Sequence, residues 1–149
     1  MTTQDTALPD VRVHRPLGYW LKSVDRSIEE GFARLLADEN LTRRGWQVLN
    51  TVSYAPVTVA GVDETMAAFL SPAEPTMRPY VEALTARDWA APTAGATDTF
   101  ELTEAGRAAH RRISGRIGAE RARMMECLTP DEYGVLMDLL QRLATHLDA

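Results

Sequence analysis

The stretch "FELTEAGRAAH", Phe100 to His110, holds the junction on which the fold turns. Thr99–Leu102 is β-prone. Thr103 follows, with a hydroxyl suited to accept from the first free N–H groups of a helix. Beyond it Ala109, Ile113, Ile117, Met124 and Leu128 recur at helical spacing. A short strand therefore runs straight into a long helix. Stepping back along the chain, "WAAPTAGATDTFELT" (89–103) has β-prone ends around a small-residue centre with Gly95. This predicts a hairpin of Trp89–Pro92 and Thr99–Leu102. Stepping forward, "TPDE" (129–132) opens another helix, with Thr as N-cap, Pro first and Glu third. Tyr133, Leu136, Leu140, Leu143 and Leu147 line its apolar side.

Upstream of the hairpin the pattern is helical. Pro16 suits a first helical turn, and Leu17, Leu21, Val24, Ile28, Phe32 and Leu35 predict a long amphipathic helix ending near Asp38–Asn40. Thr42 caps "RRGWQVLNTVS", with Trp46, Leu49 and Val52 inward, and Pro56 stops it. Thr58 caps a third helix with Val59, Val62, Met66, Phe69 and Leu70 on its apolar side. A fourth covers about 76–87. Its Pro79 is harmless if Thr76 is the N-cap and Pro79 the third helical residue, because the first N–H groups of a helix have no internal partner. A start at Pro75 would instead remove one bond and kink the helix. With Met77, Val81 and Leu84 inward, Arg78, Pro79, Glu82, Ala83 and Ala86 face outward.

The chain has 149 residues, 45% hydrophobic and 25% charged, which suits one domain or two small lobes sharing a core. No apolar run approaches the roughly 18–20 residues that span a bilayer. The N-terminus "MTTQDTALPDVRVHRP" has no apolar core segment like that of a signal peptide. One cysteine, Cys127, excludes an intrachain disulfide and a Cys-based zinc cluster, and its place beside Met124 and Leu128 predicts a buried thiol. Together these features favour the cytoplasm. Net charge is −5, yet six arginines between Ala105 and Arg123 face a single acid, Glu120, so that stretch carries +5 and the rest −10. The simplest expectation for these arginines is a solvated surface paired with acids of the first helix such as Glu29, Glu30 and Asp38.

In this order, three pieces resemble the MarR family of winged helix-turn-helix regulators over roughly residues 17–149: "LTRRGWQVLNTVS", "PTMRPYVEALTARDWA" and "FELTEAGRAAH". The resemblance implies a mainly α (α+β) fold, a winged helix-turn-helix domain with long N- and C-terminal dimerisation helices. It divides the chain into a flexible arm (1–15), a dimerisation helix (16–40), the DNA-binding domain (41–103) and C-terminal dimerisation helices (104–149). It also implies an obligate homodimer, a near-palindromic operator with half-sites about one turn apart, and a small aromatic or acidic effector.

This chain departs from that pattern. Pro79 and Ala83 stand where basic residues are common, and Glu82 adds a negative charge. The wing tip "TAGATD" lacks the family's Asp-x-Arg motif and every cation, and Asp88 replaces the usual exit glycine. The DNA-binding candidates are Thr76, Arg78, Glu82, Arg87, Arg43 and Arg44, with Arg12 and Arg15 in the arm. Arg78 suits guanine and Glu82 cytosine N4, although either can be an ordinary solvated side chain and Thr76 a plain cap. The candidate effector pocket takes Tyr19, Trp20, Trp46 and Tyr54, with Arg107 and Arg111 following the wing; at helical spacing the two tryptophans read first as core, whereas the two tyrosines suit either place. No catalytic residue, metal site or cofactor motif stands out: His14, His110 and His146 have no ligand-spaced partner, and Gly-rich phosphate loops are absent. The resulting expectation is a homodimeric DNA-binding regulator, a repressor under small-molecule control and not an enzyme. The alternative is a winged-helix dimer that has lost sequence-specific DNA binding and works as a ligand- or protein-binding module.

Overall fold

The computed structural model describes residues 8–96 and 98–149. Helix α1 spans Leu17–Ala37 and α2 spans Arg43–Ser53. A short strand β1 (Val57–Thr58) leads into α3 (Val59–Thr65), a 3-10 turn (Ala67–Phe69) and α4 (Arg78–Ala86). The hairpin strands β2 (Ala90–Pro92) and β3 (Thr99–Leu102) precede α5 (Glu104–Met124) and α6 (Pro130–Leu147). The fold is therefore mainly helical with one small antiparallel sheet, a winged helix-turn-helix.

Local chemistry sets most of these boundaries. The hydroxyls of Thr42, Thr58 and Thr103 each accept from the backbone N–H three residues on, at 3.0 Å. Thr129 and Glu132 form a reciprocal capping box at α6. The hairpin matches its expected span, in register Ala90↔Leu102 and Pro92↔Phe100. The sheet adds a strand that residue patterning did not predict: β1 pairs with the outer side of β3, Val57↔Phe100. Two residues are too few to show period-2 alternation, so only the tertiary pairing defines that strand.

The core joins both halves of the chain. Phe32 and Leu36 of α1 meet Trp46, Val48, Leu49 and Val52 of α2, Met77, Val81 and Leu84 around α4, and Ala109, Ile113 and Ile117 of α5. Gly106 lets α5 touch the Trp89 backbone; a Cβ there would lie 1.9 Å from the Trp89 carbonyl oxygen.

Three expectations need correction. The third helix stops at Thr65, and the 3-10 turn after it rotates Phe69 outward. The fourth helix begins at Arg78 with Met77 as N-cap, not Thr76. Cys127 is exposed, because α5 ends at Met124 and the chain turns before α6. Helix α6 buries none of its residues, and its apolar side leaves Tyr133, Val135, Leu136, Leu139 and Leu147 exposed.

Candidate nucleic-acid interface

Helices α3 and α4 form the helix-turn-helix, and one acid ties them together. Asp63 on α3 accepts from the Met77 N–H at 2.6 Å and from the Thr76 hydroxyl at 2.7 Å. Thr76 Oγ1 in turn accepts from the Arg78 N–H at 3.2 Å. These bonds satisfy the free N–H groups at the start of α4. Pro79, second in the helix, has no N–H to satisfy. The constraint also holds Arg78 in a helical conformation that a following proline disfavours. Thr76, just before the N-cap, is thus half-buried and held to α3. Asp63 was not legible as a cap, because it lies thirteen and fourteen positions from its partners.

The other end of α4 is fixed as firmly. The Trp89 N–H donates to the Leu84 carbonyl and the Asp88 N–H to the Thr85 carbonyl, both at 3.0 Å. This is a Schellman closure, which requires a left-handed residue at the exit. Asp88 supplies it at φ 59°, so it does the work of the missing glycine. Next to it, Arg87 donates to the carbonyls of Glu39 (2.9 Å) and Asn40 (3.2 Å) at the end of α1, and its guanidinium lies 3.7 Å from the centre of the Trp89 ring. Arg87 is therefore bound to the scaffold at both of its terminal nitrogens.

Two more candidate arginines are similarly engaged. Arg43 Nη1 is 2.8 Å from Glu29 of α1, and its guanidinium lies over Phe32. Arg44 donates to Gln47 at 2.5 Å and stacks over Phe69 at 4.2 Å, which shields the ring left outward by the 3-10 turn. Beside it the Tyr80 hydroxyl donates to Glu74, and this bond, together with partial burial, holds the phenol above its usual range. Among the described residues, the exposed positions of α4 are Arg78, Pro79, Glu82, Ala83, Thr85 and Ala86, and the Thr85 hydroxyl is already engaged, donating to the Val81 carbonyl at 3.0 Å. Neither Arg78 nor Glu82 has an ion-pair or side-chain hydrogen-bond partner among these residues. In the wing tip Gly95 (φ 76°) and Asp98 (φ 62°) make the turn. Arg12 pairs with Asp10 at 2.8 Å, and Arg15 lies over Tyr19.

The arginine-rich face of α5 pairs with the end of α1. Arg112 makes two bonds to Glu39 (3.1 and 2.8 Å), and Arg116 reaches Asp38 at 2.9 Å. The Arg112 bond holds the Glu39 carboxyl below its usual range. The expected ion pairing is present in part: of the acids expected, Asp38 takes Arg116, Glu29 pairs with Arg43 of α2 instead, and Glu39, just past α1, is the centre of the pairing.

The six expected effector-pocket residues are not brought together. Trp46 is a core residue, stacked on His110 at 5.4 Å. Tyr54 is 81% exposed at the far end of α2, Tyr19 packs edge-on against Trp20, and Arg107 and Arg111 are exposed on α5. Among the described residues, Trp20 lines two cavities. It borders a crevice of about 480 Å³ between α1 and α5, with Gly31, Arg34, Arg123 and Met124, and a groove of about 340 Å³ between α1 and α6, with Leu136 and Leu140. Burial also explains His110: it bonds Asn50 of α2 at 2.9 Å, and desolvation lowers its pKa.

No family model matches the chain, and no match is found among curated proteins. Solved structures do match. A MarR family transcriptional regulator from Rhodococcus sp. RHA1 aligns at TM-score 0.73 and 24% identity, covering 86% of this chain and 93% of that one. The Mycobacterium tuberculosis MarR family protein Rv2887, in complex with DNA, aligns at 0.68 and 23%, covering 87% and 98%. The reduced form of MarR from Escherichia coli aligns at 0.68 and 19%, covering 87% and 94%. The chain thus has the fold of the MarR proteins.

Proposed function

We propose that this chain is a homodimeric, cytoplasmic winged-helix transcriptional regulator that binds a near-palindromic operator and acts as a repressor responsive to a small aromatic or acidic ligand. The observation that carries the reading is the state of α4. It is anchored at its start by Asp63 and at its end by Arg87, and it offers an exposed outer face with an unengaged arginine. An ordered helix of this kind suits the major groove. The likeness to Rv2887 supports both halves of the proposal, since that protein is seen in complexes with DNA, salicylic acid and p-aminosalicylic acid. The dimer rests on α6. An 18-residue helix that buries no residue of its own, beside the exposed Leu17, Trp20, Leu21 and Val24 of α1, presents an apolar face that a second copy can cover. No described helix is long and apolar enough to cross a membrane.

Binding-site selection from random duplex DNA, followed by salt titration of the winner, tests the reading. A near-palindromic consensus supports it. The second reading, a winged-helix dimer without sequence-specific DNA binding, is favoured by the engagement of Arg43, Arg44 and Arg87 and by the cation-free wing tip. No enrichment at low salt decides for that module.

A further inference from the structure

We infer that the half-site read by α4 is built on G·C pairs, with Arg78 reading guanine and Glu82 reading cytosine; the inference rests on the DNA-binding reading above. Once Arg43, Arg44, Arg87 and Thr76 are tied into the scaffold and the Thr85 hydroxyl is bonded within its own helix, two exposed polar side chains of α4, Arg78 and Glu82, have no partner among the described residues. Their chemistry is one-sided. The Arg78 guanidinium only donates, and the Glu82 carboxylate only accepts. In the major groove guanine presents two acceptors, O6 and N7, to which a guanidinium fits with both arms, whereas cytosine presents the N4 amino donor alone. Adenine N6–H₂ also donates to a carboxylate, but its N7 acceptor faces the same anion and repels it, so cytosine is preferred.

Neighbouring residues narrow the choice further. Pro79 contributes no polar atom, and the exposed Ala83 and Ala86 contribute only methyl groups, which suit a thymine methyl at flanking positions. Arg78 and Glu82 are four residues apart, a rise of about 6 Å along the helix, which is under two base-pair steps of about 3.4 Å. The guanine and the cytosine therefore fall within about two base pairs of each other in each half-site. Glu82 also repels phosphates, so a sequence lacking its cytosine gains nothing to offset that repulsion. This turns an unfavourable charge into a discriminating one.

Selection is run with the wild-type chain and with the Arg78→Ala and Glu82→Gln variants. Both side chains are exposed, and matching far-UV circular dichroism establishes that the folds are equal. The wild type is expected to enrich a guanine and a cytosine within about two base pairs. Arg78→Ala is expected to lose about tenfold to a hundredfold of the discrimination at the guanine alone. Glu82→Gln is expected to move the preference at the cytosine toward adenine, because a glutamine amide pairs with adenine N6 and N7. A consensus with A·T pairs at both positions, an unmoved preference in Glu82→Gln, or a uniform loss over all sequences in Arg78→Ala overturns the inference and leaves DNA binding standing. Absence of any enriched sequence overturns both.

Discussion

Gly106 and Gly31 both lie at close approaches on the α1–α5 scaffold, yet they differ in what a methyl group would meet. At Gly106 an added Cβ falls 1.9 Å from the Trp89 carbonyl oxygen, which belongs to backbone fixed by the α4 exit. At Gly31 it meets the end of the Met124 side chain at 2.6 Å, and that methyl swings aside. Gly106→Ala is expected to destabilise by about 3 kcal/mol or more, and Gly31→Ala by well under that, both measured by urea denaturation. His110 carries a second prediction. Burial beside Trp46 depresses its pKa, so the folded chain resists a proton that the unfolded chain takes up near pH 6.5. The unfolded state then binds more protons, and stability falls as pH drops below that value. Urea midpoints between pH 8 and 5.5 are expected to decline in the wild type and to decline less in His110→Phe, which keeps a ring against Trp46.

Element by element, local signals and distant ones behave differently. Thr42, Thr58, Thr103 and Thr129 cap helices through partners three residues away, and each cap was legible in the sequence. The hairpin was legible from β-prone ends around Gly95. The start of α4 was misplaced because its cap comes from Asp63, on another helix. Asp63→Ala is expected to cost about 1–2 kcal/mol in urea denaturation and to weaken DNA binding by loosening the entry of α4 while leaving its outer face unchanged. Among the DNA-binding candidates, spacing alone did not distinguish Arg87 from Arg78. Their separation came from the carbonyls of Asn40 and Glu39 in the turn after α1, forty-seven and forty-eight positions from Arg87, that occupy its guanidinium.

For the molecule as a whole, the unburied faces of α1 and α6 matter most. Leu136 borders both the groove against α1 and a neighbouring apolar hollow with Leu128 and Leu139. A charge there opposes burial by a second copy. Leu136→Asp is expected to shift the chain from dimer to monomer in light scattering at micromolar concentration, without disturbing the core around Leu49 and Ile113. A wild-type monomer under the same conditions would remove the dimer from the proposal. With three arginines engaged and no cation at residues 93–98 of the wing tip, few phosphates are neutralised per protomer. The salt dependence of DNA binding is then expected to be shallow, each contact adding about −0.9 to the log–log slope.

Periodicity and capping act within a few residues, so the sequence by itself determined the helices, the hairpin and their order, and the resemblance of three of its stretches to the MarR family implied the winged helix. The sequence also exposed the poverty of cations on the recognition face. Tertiary structure alone decided which polar side chains were free. A guanidinium is claimed by whatever carbonyl or carboxylate the fold brings to it, and those groups lay far away in the chain. Periodicity already placed Arg78 and Glu82 outward; the fold decided that no partner among the described residues reaches them, and packing between helices decided that Tyr19, Trp46 and Tyr54 lie apart.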